Sequence, residues 1–266
     1  MELGIIGGGV MGEAILSRLL AQGIYPAQAV AVGDRHEERC QWLRSRYGVQ
    51  AVTDNRQIVQ ARVLLLAVKP QSLKQVFQEL GNQQVRVESE LVISILAGVS
   101  LAQLGEFLPH KPIARVMPNT PARVGAGISA IAANELVNAE QRALVRQIFG
   151  CVGTVVEVPE SLLDAVTGLS GSGPAYVAVI IEALADGGVR VGLPRAIAQE
   201  LAVQTVLGTA QLLKETGLHP AQLKDQTASA GGTTIAGLAV LERCALRSAL
   251  IEAVTAATQR AQELRA

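Results

Sequence analysis

The sequence predicts an α/β fold over residues 1–158 and an all-helical fold over residues 159–266. Three observations lead there. Short, wholly apolar runs alternate with amphipathic stretches of about ten residues through the first part, as buried parallel strands alternate with covering helices. The strand pattern then stops at Val158-Pro159-Glu160 and does not return. Finally, the first apolar run, Leu3-Gly4-Ile5-Ile6, leads straight into Gly7-Gly8-Gly9-Val10-Met11-Gly12. A chain of 266 residues has room for two such domains.

Leu3-Gly4-Ile5-Ile6 is the first strand, and the glycines after it carry chemistry. Gly7, Gly9 and Gly12 stand at G-x-G-x-x-G spacing. The first glycine permits a tight turn, the second lets the backbone approach a pyrophosphate, and the third allows close helix–strand packing. The helix opening at Val10 and Met11 would present free N–H groups and its positive end to a diphosphate. Strand, turn and helix in that order point to a Rossmann-type dinucleotide site. A purely structural glycine turn is the bland alternative.

The first helix covers 10–22 and ends at Gly23. The second strand, 29–32, closes at Gly33-Asp34-Arg35. An acid at this distance from the glycines commonly binds the adenosine ribose, whereas a guanidinium suits a 2′-phosphate. Asp34 and Arg35 therefore point to different nicotinamide cofactors; an Asp-Arg turn capping the helix 36–47 is the plainer reading. A short strand at 49–52 follows, and Asp54 or Asn55 is placed to cap a short helix. The strand 63–68 runs into Lys69-Pro70, which puts the lysine at a strand's carboxyl end, where open α/β sheets bind ligands. Beyond the helix 71–80, the strand 91–96 closes at Ala97-Gly98, small enough to admit a ring or ribose. The strand 113–117 ends at Pro118-Asn119-Thr120-Pro121, a stiff loop offering amide and hydroxyl groups at the same rim, with Asn119 a candidate substrate contact. A strand at 127–132, a helix at 139–150 and a strand at 152–158 complete the sheet.

The second part is read as helices throughout. A short helical turn at 162–167 precedes Ser170-Gly171-Ser172-Gly173-Pro174, and Pro174 suits the first turn of a helix reaching about Gly188. Helices at 196–216 and 219–226 follow, and a last one runs from the Gly231-Gly232-Thr233-Thr234 turn to about Leu264. Residues 176–186 are apolar around nearly the whole helix, which implies burial. A small domain cannot cover such a helix alone, so a homodimer through the C-terminal helices is expected. Gly208 and Gly237 inside the helices fit close backbone approach.

Composition narrows the function. Lys plus Arg and Asp plus Glu are both 23, so the formal charge is zero, and no basic stripe suggests nucleic acid. Three scattered cysteines form neither a zinc pattern nor a disulfide framework, so no metal is expected and a reducing, cytoplasmic setting is the default. No basic run precedes the first apolar segment, so a signal peptide is not expected. The most apolar run, 175–184, contains Glu182 and is too short to span a bilayer, so no membrane role is expected. His36, His110 and His219 stand apart from one another, and no G-x-S-x-G elbow or zinc-hydrolase spacing occurs. Ser170 and Ser172 lack an activating base in the sequence. This favours a reaction whose hard step belongs to the cofactor, namely hydride transfer. Gly232, Thr233 and Thr234 are then the best substrate residues, because N–H groups at a helix start bind a carboxylate well. A threonine N-cap after a glycine turn is the structural alternative.

The motifs together resemble the pyrroline-5-carboxylate reductase family. The resemblance runs through the fingerprint at 7–12, Ala67-Val68-Lys69-Pro70, Met117-Pro118-Asn119-Thr120-Pro121, Asp164-Ala165-Val166-Thr167-Gly168-Leu169 into 170–176, and Ser229-Ala230-Gly231-Gly232-Thr233-Thr234. It covers nearly the full chain, in order. It implies reduction of the cyclic imine L-1-pyrroline-5-carboxylate to L-proline. Hydride would pass from C4 of the nicotinamide to the imine carbon, C5 in proline numbering. By position, Asn55, Ala67, Lys69 and Ala97 resemble cofactor contacts. Thr233 and Thr234 resemble the carboxylate cradle, with the Thr234 hydroxyl on the ring nitrogen. The family forms an intertwined dimer and often a pentamer of dimers. Two residues depart from its pattern: Ala230 stands where a proline is usual, and Asp34-Arg35 where Asn-Arg is common. NADPH is expected on resemblance, with NADH the alternative. Two rival readings are another imine or beta-hydroxyacid reductase of the same architecture, and a non-enzymatic NADP sensor. The first usually places a lysine on a helix of the second domain, and 175–185 has none.

Overall fold

A computed structural model describes residues 1–82 and 86–265. The chain forms two packed units, one of residues 1–171 with 257–266 and the other of residues 172–256.

The first unit is built on an eight-stranded sheet of order β3-β2-β1-β4-β5-β6-β7-β8. Its strands are β1 (Leu3–Ile6), β2 (Val30–Gly33), β3 (Gln50–Val52), β4 (Val63–Leu66), β5 (Leu91–Ser94), β6 (Ile113–Met117), β7 (Gly127–Ala133) and β8 (Gly153–Glu157). All pairs are parallel except β6 with β7. Chain order reverses between β1 and β4, and a ligand crevice belongs beyond the strand ends at such a switch point. Every residue of β1, β2, β4 and β5 is buried, which explains why these strands read as continuous apolar runs.

Helices cover both faces: α1 (Val10–Ala21), α2 (Glu37–Tyr47), α3 (Leu73–Asn82), α4 (Leu101–Phe107) and α5 (Ala139–Gly150). Leu16, Leu43 and Phe149 belong to one core cluster, and Ile58, Leu104 and Leu108 to another. Helix α4 is absent from the expected elements, although its start is written locally. Ser100 and Gln103 form a reciprocal capping box, the S-x-x-Q signature of a helix N-terminus. Residues 54–62 do not form the short helix expected there. They make hydrogen-bonded turns, with the Ile58 and Val59 N–H groups both donating to the Asn55 carbonyl.

Packing places the end of the first unit after Gly171, later than the 158/159 division read from the sequence. The reason lies in the stub α6 (Leu163–Val166) and its neighbours. Leu163 packs with Ala130 and Ala132 of the sheet. Glu160 accepts from the buried Arg115 at 3.1 Å and from the Leu101 N–H at 2.6 Å. A wide π turn, Thr167–Gly171, then leads to α7.

The second unit holds α7 (Gly173–Arg190), α8 (Arg195–Thr216), α9 (Pro220–Thr227), α10 (Thr233–Arg243) and the first part of α11 (Leu246–Arg265). Pro174 lies in the first turn of α7, which suits a residue without an N–H. Helices α7 and α8 meet through Ala185, Ala198 and Ala202, and a Cβ on Gly188 would lie 3.0 Å from the Ala198 Cβ. The expected single last helix is broken at Cys244–Ala245, where Ala245 takes φ 54°. No glycine or proline announces that break.

Helix α7 is left uncovered by the single chain, with Ala185 alone among its residues buried, in line with the expectation that the small domain does not cover it by itself. One expectation about this region is corrected: not every apolar run is too short for a bilayer. The helical stretch Glu160–Arg190 is long and apolar enough by length and composition to cross one, because α6, the π turn and α7 follow one another with only Ser172 between the last two.

Candidate functional site

The glycine loop takes its shape from close contacts. Gly7 has φ 109°, and a Cβ there would lie 2.5 Å from the Ala67 carbonyl oxygen. A Cβ on Gly12 would collide with the Gly7 carbonyl oxygen. Gly9 differs from both, because a Cβ there meets nothing within 4 Å. It stands at the N-cap of α1 with no side chain capping the helix. The first intrahelical bond is from the Glu13 N–H to the Gly9 carbonyl, so the N–H groups of Val10, Met11 and Gly12 are left for a ligand or water.

Gly7, Gly9, Asp34, Arg35, Asn55, Ala67 and Lys69 line one cleft of about 650 Å³. Met11 and Asn119 line an adjoining hollow of about 270 Å³ that shares Ala67 and Val68 with the cleft. Val10, Gly12, Pro70 and Ala97 line neither. Gly12 is buried beneath the loop it shapes, Pro70 opens the exposed 3-10 turn Pro70–Ser72, and Ala97 is exposed beside Gly98.

Asp34 is held by its own surroundings. Its Oδ2 accepts from the Gly8 N–H at 3.0 Å, and its Oδ1 accepts from the His36 N–H at 3.1 Å. The His36 ring Nδ1 lies 3.1 Å from the same Oδ1. Arg35 is exposed and makes no hydrogen bond or ion pair among the described residues. One buried polar atom at the cleft lacks a partner: Asn55 Oδ1. A buried acceptor without a donor is unfavourable unless a ligand or water fills the role. That orphan, the open space over Gly9 and the uncapped start of α1 together fit a bound dinucleotide.

Sequence reasoning missed Arg39 and Trp42, which also line the cleft. Arg39 Nε donates to the Gly8 carbonyl at 2.6 Å, its guanidinium pairs with Glu13, and it lies 4.4 Å over the Trp42 ring. The Tyr47 hydroxyl donates to Glu13 at 2.9 Å, so the glycine loop is braced from α2. The i,i+3 spacing of Arg39 and Trp42 on one helix face was the available signal.

Asn119 lies at the rim with its amide engaged. Nδ2 donates to the Ser170 carbonyl at 3.2 Å, and Oδ1 accepts from the Ile128 N–H at 3.0 Å. The Ser170 hydroxyl donates to the Val166 carbonyl at 3.0 Å, a structural use that gives no sign of a nucleophile.

In the second unit, Gly231 takes φ 66° and Gly232 is the N-cap of α10. A Cβ on Gly232 would collide with the Ser229 hydroxyl. No side chain caps the helix, so neither Thr233 nor Thr234 serves as the N-cap considered for them. Both sit in the first turn, where N–H groups lack intrahelical partners. The half-buried Thr234 offers its hydroxyl beside them.

Residues 2–98 match the family model described as NADP oxidoreductase, coenzyme F420-dependent, and residues 160–264 match the model described as pyrroline-5-carboxylate reductase dimerisation. With the cleft, these define an NAD(P)H-dependent oxidoreductase with a helical dimerisation domain. The chain belongs to the pyrroline-5-carboxylate reductase family, whose members reduce a C=N bond. It is 59% identical over 265 residues to the enzyme of that name from Synechocystis, covering 99% of this chain and 98% of that one. It is 44% identical over 266 residues to the one from Methanosarcina acetivorans, covering 99% and 97%. The Coxiella burnetii pyrroline-5-carboxylate reductase structure superposes with a TM-score of 0.92 at 39% identity, covering 100% and 98%. The Plasmodium falciparum pyrroline carboxylate reductase with NADP bound gives 0.89 at 30%, also covering 100% and 98%.

Proposed function

We propose that this protein reduces L-1-pyrroline-5-carboxylate to L-proline with NADPH, and that the named residues divide the work as follows. The observation that carries the assignment of roles is the uncapped start of α10, whose free N–H groups and Thr234 hydroxyl stand together in a chain of this family. The Thr233 and Thr234 N–H groups hold the substrate carboxylate, favoured by the positive end of the helix. The Thr234 hydroxyl bonds to the ring nitrogen and orients the imine. It is too weak an acid to drive protonation alone, so it positions the nitrogen and passes on a proton taken from solvent. Bound NADPH supplies the hydride that reduces the imine carbon. Most of the rate enhancement comes from holding the reacting groups in one orientation beside a fixed anion site.

In the first unit, Gly9 and the α1 start hold the pyrophosphate, and Asn55 Oδ1 accepts from the cofactor. Arg35 serves the 2′-phosphate, because its guanidinium is free while the Asp34 carboxylate is already engaged. Lys69, Ala67 and Met11 line the path toward the nicotinamide end. Asn119 acts as a positioning residue, since both ends of its amide hold the rim loop.

The exposed faces of α7 and α8 form a homodimer interface. That reading takes Glu160–Arg190 as an interface stretch, not a bilayer span, in keeping with Glu160, Asp164, Glu182 and Asp186 along it. Assembly into a pentamer of dimers and a cytoplasmic setting belong to the same proposal, and three free cysteines suit a reducing compartment.

The test is steady-state oxidation of NADPH and NADH with pyrroline-5-carboxylate. Turnover with NADPH preferred is the expected result. No turnover in protein shown to bind the cofactor overturns the substrate assignment.

A further inference from the structure

We propose that His36, paired with Asp34 at the rim of the nucleotide cleft, is a specificity-determining residue that makes the preference for NADPH over NADH depend on pH. The inference rests on the NADPH reading and adds a residue and a regulation that the glycine fingerprint does not contain.

The geometry is compact. Asp34 stands at the end of β2 with both oxygens committed, Oδ2 to the Gly8 N–H and Oδ1 to the His36 N–H. The acid is therefore built into the glycine loop. It cannot swing away from a 2′-phosphate without releasing Gly8. A fixed carboxylate beside that phosphate is repulsive, and proximity to a cation is the remaining way to offset it. Arg35 is one cation, with no partner among the described residues. The His36 ring is the second, with Nδ1 at 3.1 Å from Asp34 Oδ1. Histidine is the side chain whose charge ordinarily changes between about pH 5 and 8. Protonated, His36 makes the Asp34–His36 pair neutral; deprotonated, the pair carries a net negative charge.

Other charges face the same cleft. Glu38 and Arg39 come from α2, Lys69 from the end of β4 and Glu79 from α3. Arg39 is already bound to Glu13 and to the Gly8 carbonyl. Glu38, Lys69 and Glu79 make no hydrogen bond or ion pair with Asp34 among the described residues. His36 differs in being both titratable and joined to the acid nearest the ribose end of β2.

The sign follows. Below the histidine range the imidazolium favours the 2′-phosphate, and that advantage is lost as pH rises through it. NADH carries no 2′-phosphate and gains much less. The His36 side chain is 65% exposed, so screening limits the effect to about threefold in relative affinity, within the range of surface ion pairs.

Trp42 is the chain's single tryptophan and lines the cleft, so its fluorescence reports cofactor binding without turnover. The experiment measures Kd for NADPH and NADH from about pH 5.5 to 8.5 in the wild type, His36→Gln and Asp34→Asn, a window that brackets histidine titration. The cofactor phosphate's own second ionisation, near pH 6, falls inside this window and is coupled to the imidazolium, so wild type and variants are compared at each pH rather than by the shape of one profile. The expected result is an NADPH-over-NADH preference about threefold higher in wild type than in His36→Gln at low pH, with the two converging at high pH. Asp34→Asn should raise the preference at high pH and flatten its pH dependence. NMR titration of the His36 ring provides a second readout: NADPH should raise its pKa more than NADH does, as linkage requires. Equal preference in wild type and His36→Gln at every pH, with the ring titrating alike under both cofactors, overturns the inference. Tight binding of both cofactors without any reduction of pyrroline-5-carboxylate would overturn the substrate assignment and leave the pH result readable.

Discussion

In the sheet unit, β1, β2, β4 and β5 are buried at every position. In the helical unit, only Ala185, Ala198 and Ala202 among the described residues are buried, although α7 is mostly apolar. The two units therefore satisfy the hydrophobic effect differently. The sheet unit closes its core with its own helices. The helical unit exposes Val177, Val179, Leu184, Ile197, Leu201 and Leu207, a surface too apolar to stay in water. The contrast extends to function. The nucleotide cleft is assembled inside one unit from well-supported strand ends, whereas the proposed substrate cradle sits on a unit whose apolar faces are left uncovered in the single chain.

The strongest way to break this comparison is a charge on the exposed face of α7. Val179 is 63% exposed and lies about 120° around the helix from Ala185, so Val179→Glu leaves Ala185 in its seam with α8. It should convert dimers to monomers and destabilise the protein by about 3 kcal/mol or more, the penalty of burying an unpaired charge. Sedimentation and thermal unfolding check this. An unaltered dimer would place the interface elsewhere.

A pair of glycine substitutions sharpens the account of the sheet unit. Gly12→Ala meets the Gly7 carbonyl and should lower stability by about 1–3 kcal/mol together with cofactor affinity. Gly9→Ala meets no protein atom, so stability should hold within about 0.5 kcal/mol while NADPH affinity still falls. Fluorescence titration and denaturant unfolding on both variants separate a structural glycine from a ligand-facing one.

The cradle is tested by Thr234→Ala. It should lower kcat/KM about tenfold to hundredfold, as loss of one hydrogen bond to a charged group predicts, with NADPH affinity nearly unchanged. Thr234→Ser should recover much of the loss. An equal fall in cofactor affinity would remove the proposed role.

The smallest effect is expected at Gly208 in α8, which meets nothing within 4 Å in the single chain. On a free helix surface, Gly208→Ala would stabilise by about 1 kcal/mol. As an interface glycine it should weaken the dimer instead, and the sign of the change in melting temperature decides.

What could be read beforehand follows from how local each signal is. Gly7, Gly9 and Gly12 were legible because a turn, a close approach and a packing contact all need glycine within six consecutive residues. The capping box of Ser100 and Gln103 was equally local but went unread. Asn55 was placed by resemblance. Its unpaired oxygen depends on neighbours that only folding supplies. Arg39 escaped because its partners, Gly8 and Glu13, lie on other segments, and Trp42 went unread although Arg39 packs over it from the same helix. The break at Ala245 has no local announcement, and a left-handed alanine persists only where its surroundings enforce it.

The sequence by itself determined the eight strands and their order along the chain, the dinucleotide fingerprint and the family, because these rest on periodicity, spacing and residue type. The tertiary structure alone decided that Asp34 is tied to Gly8 and His36, that Asn119 holds a loop, and that Ala185, Ala198 and Ala202 form the seam of α7 and α8. The physical reason is that hydrogen-bond partnership and burial are properties of pairs and surfaces, fixed only when segments distant in sequence are brought together.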